Sequence, residues 1–464
     1  MPDGIPCQLA LQVLDTQREA IRAQLADLVR TPGVSADGFP RRMVEQSSRE
    51  VAAVLRNAGL ENVRAVAFQS APPFILGDWL HAPAEAPTIL IYGHYDVQPA
   101  GDESRWDSPP WQPEERDGRL YGRGVADDKA GIMAHVAAAA AWLEAGGLPV
   151  NIKFILEGEE EIGSPNLEAF LSTHRDELAA DCLILTDTCN LDTGLPSLTT
   201  SLRGLIMADV TVASLQGPLH SGIWGGPIPD PAQALARILA RLSDDAGRCA
   251  IPGIARPPVA ESTYTDLPYD EARFREQGGV LEGVPLLTRG GAATYASTWR
   301  DPVATVSAID APSLATASNQ VLAQVSARVG VRLAPEQSAD ACLKALVDFL
   351  AADPPWGCRV TVTPHVAAGG WQTTPSGPYF DAARRALVAG YGAAATHIGC
   401  GGSIPFVEPF ARAMGGIPAL LLGVEDPLCR AHGENESLDL SDFFNSCRAT
   451  VHLYAEMAAI QPPV

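Results

Sequence analysis

The sequence predicts an α/β fold: a mixed, mostly parallel sheet flanked by helices, interrupted by an inserted α+β domain. Short apolar runs alternate with helical stretches up to Leu198, the pattern changes there, and it resumes near Gly377. Strands alternating with helices mark a largely parallel sheet. A chain of 464 residues is also too long for one ordinary core. The reading assigns residues 1–200 and 377–464 to one domain and residues 201–376 to the insertion.

The elements follow from periodicity. Leu9 to Val29 reads as one amphipathic helix, and Arg41 to Asn57 as a second, stopped near Gly59. Strands are expected at Val63–Phe68, Thr88–Tyr92, Asn151–Leu156 and Asp181–Leu185, with helices at Ala130–Ala145 and Leu167–His174. In the insertion, Gly204–Ala213, Val303–Ala308, Gln324–Leu333 and Cys358–His365 read as strands. Pro231–Leu242 and Ser338–Ala351 read as helices, with Ser338 as N-cap. Arg256–Arg289 is loop-rich. Helix Pro378–Ala389, strand Pro418–Leu422 and helix Leu440–Ala459 complete the first domain.

Composition excludes some functions. Hydrophobic residues at 46% and charged residues at 19% suit a soluble globular protein. A formal net charge of -22 disfavours nucleic acid and anionic membrane surfaces as partners. No apolar run is long enough to span a bilayer and no secretory leader is read at the N-terminus. The nine cysteines form no Cys-x-x-Cys pair, which argues against a thiolate zinc site and for a reduced, cytoplasmic location.

In open α/β sheets, ligands bind beyond the carboxyl ends of the strands. His94 and Asp96 follow the run Thr88–Tyr92. Glu157-Gly158-Glu159-Glu160-Glu161 follows Asn151–Leu156, and Asp187 follows Asp181–Leu185. Glu425, Asp426 and then His432 lie beyond Pro418–Leu422, and Asp127-Asp128 precedes a helix. Singly, each has a structural explanation: a helix cap for Asp127-Asp128, a solvated turn for the glutamates, loop positions for Asp187 and His432. Together, two histidines and several carboxylates at one end of successive strands suit a pair of zinc, manganese or cobalt ions, which accept mixed nitrogen and oxygen ligands.

With these motifs the chain resembles the carnosinase and bacterial dipeptidase branch of the dinuclear metallopeptidases, relatives of aminoacylase, carboxypeptidase G and succinyl-diaminopimelate desuccinylase. The matching stretches are Gly93–Ala100, Gly122–Lys129, Glu157–Ser164, the surroundings of Asp187, Leu219-His220-Ser221-Gly222, Val331-Arg332-Leu333, Gly401-Gly402-Ser403-Ile404-Pro405 and His432. The resemblance implies two divalent metal ions, zinc first among them. His94 and Asp187 would bind one, Glu161 and His432 the other, and Asp127 would bridge them. Asp96 would orient His94, and Glu160 would be the general base. The peptide bond after Asp127 would be cis. It also implies a homodimer whose insertion serves as lid and interface, with His220 reaching the partner's active site to stabilise the oxyanion. Arg332, with Gly402 and Ser403, would hold the substrate carboxylate.

Two stretches depart from the dipeptidase pattern. Gly399-Cys400 stands where relatives carry Arg-Glu, and Asn319-Gln320-Val321-Leu322 where they carry a Val-Ile-Pro turn. Both bear on the substrate pocket and leave the metal ligands intact. The expected activity is hydrolysis of the amide of a dipeptide or similar small substrate. Asp187, where deacylases more often have Glu, favours the dipeptidase branch. An N-acyl-amino-acid deacylase or carboxypeptidase is the alternative within the family. A non-catalytic metal- or ligand-binding protein on the same fold is the alternative of another class, and it predicts a lost ligand or base.

Overall fold

The computed structural model describes residues 7–256, 263–402, 404 and 407–460. It divides into two compact units, Met1–Thr200 with Thr374–Ile398 and Phe406–Val464, and Ser201–Thr373 with Gly399–Pro405. Gly399–Gly402 therefore go with the second unit, whereas the sequence pattern assigns residues 377–464 to the first. The Arg203 N–H donates to the Cys400 carbonyl and Arg203 Nε to the Gly401 carbonyl, tying this turn to the start of the insertion.

The first unit is built on a mixed sheet. Its order is Glu61–Val66, Phe74–Trp79, Asn151–Glu157, Thr88–His94, Cys182–Leu185, Ala419–Leu421 and Ser197–Leu202. The four strands from Asn151–Glu157 to Ala419–Leu421 run parallel. Their neighbours on either side are antiparallel. Helices cover both faces, so the central strands are apolar without alternation. On one face Ile89, Ile91 and Ile184 share a core with Met133, Leu387, Phe443 and Leu453. On the other, Tyr92 packs edge-on against Phe410, and Phe74 stacks on Phe170. Helix Gly131–Glu144 is buried almost all round, and its alanines allow that close packing.

The expected N-terminal helix is two helices, Cys7–Thr16 and Arg18–Val29. Thr16 Oγ1 turns back to the Val13 carbonyl, and Gln17 leaves helical geometry between them. Strands Phe74–Trp79 and Ser197–Leu202 were not expected. Among the described residues no helix is long and apolar enough to cross a membrane.

The second unit has an antiparallel sheet in the order Val303–Asp310, Gln324–Leu333, Gly204–Ala213, Arg359–Ala368. Strand Gly204–Ala213 alternates strictly between buried and half-buried positions. Its inward residues Ile206, Ala208, Val210 and Val212 pack on Leu235, Ile238, Leu346 and Leu350 of helices Pro231–Ala240 and Ala339–Ala351. Asp230 caps the first helix by accepting the Ala232 and Gln233 N–H groups, with Pro231 at the first helical position. Ser338 caps the second through Ala341.

Candidate metal centre

The parallel strands end together, and that brings the acidic motifs together. His94 and Glu157 are register partners at the ends of adjacent strands, and Thr186–Asp187 follows the next. His94 is fully buried. Its Nδ1 faces two acceptors, the Asp96 carbonyl at 3.1 Å and Asp96 Oδ1 at 3.4 Å. The proton therefore belongs on Nδ1, which leaves Nε2 as a lone pair aimed into the cluster. Asp96 also accepts the N–H groups of Glu160 and Glu161, at 3.2 and 3.1 Å. One buried carboxylate thus fixes a histidine and the turn that carries both glutamates.

Asp127 lies at the centre. One of its oxygens is 2.9 Å from His94 Nε2 and the other 2.9 Å from His432 Nε2. Asp187 Oδ2 is 3.9 Å from His94 Nε2, and Glu161 Oε2 is 3.3 Å from His432 Nε2. Two ligand groups result, His94–Asp127–Asp187 and Asp127–Glu161–His432, the atoms of each lying within 4.8 Å of one another. The peptide bond between Asp127 and Asp128 is cis.

The donor set fits two divalent ions. His94 Nε2 approaches Asp127 without the alignment of a hydrogen bond and is a buried atom without a hydrogen-bond partner. A cation held by His94, Asp127 and Asp187 would satisfy it. The charge balance points the same way. Burial, then Asp127, pushes Asp187 well above the usual carboxylate range. Glu160 is pushed up by burial and by Asp187, against the pull of His94. Burial and Asp127 likewise raise Glu161. Burial opposes charge on His94, yet the Asp127 and Asp96 carboxylates hold its pKa well up; Asp127 and Glu161 raise His432. Asp127 alone is pulled down, by His432 and His94, against its burial. The cluster thus demands positive charge, which metal ions supply.

Further residues, to which the sequence assigns no role of their own, support the site. Gln98 holds Glu161 with its N–H and with Nε2 at 3.0 and 2.8 Å. Asp128 accepts Thr186 Oγ1 at 2.6 Å and the His94 N–H at 3.2 Å. Glu436 accepts the N–H groups of Gly124, Ala126 and Asp127 and pairs with Arg123. It anchors the Asp127 turn to the His432 loop, where Arg430, His432 and Asn435 all adopt positive φ. Glu157 accepts Ser164 Oγ at 2.9 Å and the Tyr92 hydroxyl, closing the glutamate turn. The motif Gly122–Lys129 pointed to Asp128; nothing local pointed to Glu436.

The structure brings His94, Asp96, Asp127, Glu160, Glu161, Asp187 and His432 together in the first unit. His220, Arg332 and Gly402 belong to the second. His220 is exposed at the end of the short strand Leu219–His220. Arg332 lies on strand Gln324–Leu333; burial and the Arg332 charge lower Arg203 to about 10. The Gly402 N–H donates to Cys400 Sγ at 3.3 Å. Ser403 lies outside the described residues.

Comparison with known proteins agrees with this geometry. Residues 90–456 match the family described as Peptidase family M20/M25/M40. A cysteinylglycine-S-conjugate dipeptidase of Corynebacterium striatum is 34% identical over 92% of this chain and 93% of its own. A Cys-Gly metallodipeptidase of Schizosaccharomyces pombe is 28% identical over 97% and 98%. The crystal structure of human carnosine dipeptidase 1 superposes with a TM-score of 0.87 at 25% identity, covering 98% of this chain and 99% of that one.

Proposed function

The chain belongs to Peptidase family M20/M25/M40 and is a metallopeptidase, and from that premise we propose that it hydrolyses the amide bond of dipeptides with two bound metal ions. One observation carries the metal reading: Asp127 stands 2.9 Å from both histidines and belongs to both ligand groups. The names of the relatives support the substrate class, with Cys-Gly, its S-conjugates and β-Ala-His dipeptides as first candidates. Zinc fits the nitrogen and oxygen donors, as do manganese and cobalt.

Two such ions supply polarisation of the scissile carbonyl and a water of lowered pKa. The chain's residues do the rest. His94 and Asp187 would hold one ion and Glu161 and His432 the other, with Asp127 shared by both ligand groups. Asp96 sets the His94 tautomer and fixes the turn beside it. Glu160 accepts the proton of the attacking water and hands it to the leaving amine nitrogen. Burial keeps Glu160 above the usual carboxylate range, which suits a group that must carry that proton. Our reading keeps His220 as the oxyanion donor, supplied across a homodimer, with residues 201–376 as lid and interface. It keeps Arg332, Gly402 and Ser403 at the substrate carboxylate. The scattered cysteines support a cytoplasmic location.

The test is release of free amine by metal-loaded protein from a panel of dipeptides and N-acyl-amino acids. Dipeptides are expected to turn over fastest. Activity confined to acyl-amino acids overturns the dipeptide assignment, and no release from any substrate overturns the hydrolase.

A further inference from the structure

His220 opens a single helical turn, Ser221–Trp224, and caps it with its own ring. The Gly222 N–H donates to His220 Nδ1 at 3.1 Å. A neutral imidazole has one N–H and one lone pair. A backbone N–H directed into Nδ1 places the lone pair there and the proton on Nε2. We propose that Gly222 is a positioning residue that locks His220 in the Nε2–H tautomer, so that this exposed ring presents a fixed hydrogen-bond donor.

His94 is the opposite case in the same chain. Its Nδ1 faces the Asp96 carbonyl and carboxylate, both acceptors, so its Nε2 is a lone pair for a metal. The group placed at Nδ1 selects the tautomer in each: acceptors make a ligand, a donor makes a donor. Glycine at position 222 is what the His220 geometry requires. A Cβ there would lie 3.1 Å from His220 Cε1 and 3.3 Å from Nδ1, inside ordinary contact, so a side chain displaces the ring. Ile223 and Trp224 beside it are 71% and 48% exposed. The turn's own hydrogen bond, not burial, sets the ring.

The consequence rests on the reading of His220 as oxyanion donor; the geometry does not. Developing negative charge needs an N–H, and a ring already in the right tautomer does not reorganise during the reaction. The other tautomer would present a lone pair to the oxyanion.

Proton–nitrogen correlation NMR on metal-loaded, full-length protein with isotopically labelled histidine reads the tautomer directly. The His220 signals are identified by their loss in His220→Gln. The expected result at mildly alkaline pH is a protonated Nε2 and a bare Nδ1. In Gly222→Ala this preference weakens, and kcat falls several-fold with KM and metal content unchanged. A protonated Nδ1 in the wild type, or the same tautomer ratio in Gly222→Ala, overturns the proposal. If the tautomer is as expected but His220→Ala hydrolyses at the wild-type rate, the lock stands and the oxyanion reading falls.

Discussion

Arg123 and Glu436 meet as a fully buried ion pair, Nη1 to Oε2 at 2.7 Å. The same carboxylate receives the backbone N–H groups of Gly124, Ala126 and Asp127. The pair therefore holds the Asp127 turn in place across more than three hundred residues of sequence. Removing one partner of a buried pair strands the other, at about 3–5 kcal/mol. Glu436→Leu and Arg123→Met should each lower the unfolding free energy, read from urea denaturation, by that amount, and the double variant should lie closer to wild type than the sum. Additive losses would show that the two residues act separately.

Metal occupancy should divide along the two ligand groups. Asp187→Ala is expected to retain the ion held by Glu161 and His432, and His432→Ala the ion held by His94 and Asp187. Asp127→Ala should lose both. Elemental analysis after dialysis reads this directly. Chelation of the wild type should lower its thermal midpoint, because the mutual repulsion of Asp127, Asp187, Glu160 and Glu161 is then relieved only by protons.

Asp96 touches His94 and the N–H groups of Glu160 and Glu161. A carboxylate behind a ligand histidine is worth about 10–100-fold in metal affinity. Asp96→Asn should lose affinity in that range in a competitive chelator titration, and Asp96→Ala more, since Asn keeps one oxygen for the backbone N–H groups. Equal affinity in Asp96→Asn and wild type would remove this role.

His135, buried against Tyr454 Oη at 3.0 Å, has its pKa pushed down by desolvation to about 3. The unfolded chain takes up that proton near 6.5. The folded-state value is the lower one, so the contribution to stability is complete above about pH 6.5 and is lost as pH falls toward 3. His135→Gln removes it. The difference in unfolding free energy between wild type and variant should shrink by on the order of 3 kcal/mol between about pH 7 and pH 4. A difference independent of pH would show that His135 does not titrate on unfolding.

The legibility of the sequence varied with the range of the interactions. Strand Thr88–His94 was plain because a buried parallel strand is a continuous apolar run. Strand Phe74–Trp79 was hidden by Pro72-Pro73 ahead of it and Gly77-Asp78 within it. Gly77 has a packing reason: a Cβ there would lie 3.1 Å from Val63 Cγ2. Strand Ser197–Leu202 buries Thr199 and Ser201, polar residues that break the apolar pattern. The ligand positions could be read because they lie just past strand ends. Glu436 and Gln98 could not, since their partners are backbone N–H groups and side chains that only the folded chain brings near. Cys400 was visible as a departure, but not its bond to the Gly402 N–H.

The central claim is that Glu160 moves the proton while its neighbour Glu161 holds metal. Kinetics and metal content of Glu160→Gln, measured on one preparation, test it most directly. The account predicts hydrolysis reduced by on the order of 10²–10⁴-fold with metal content the same as in the wild type. Turnover near the wild-type rate would contradict it, as would a variant that lost activity only because it lost metal.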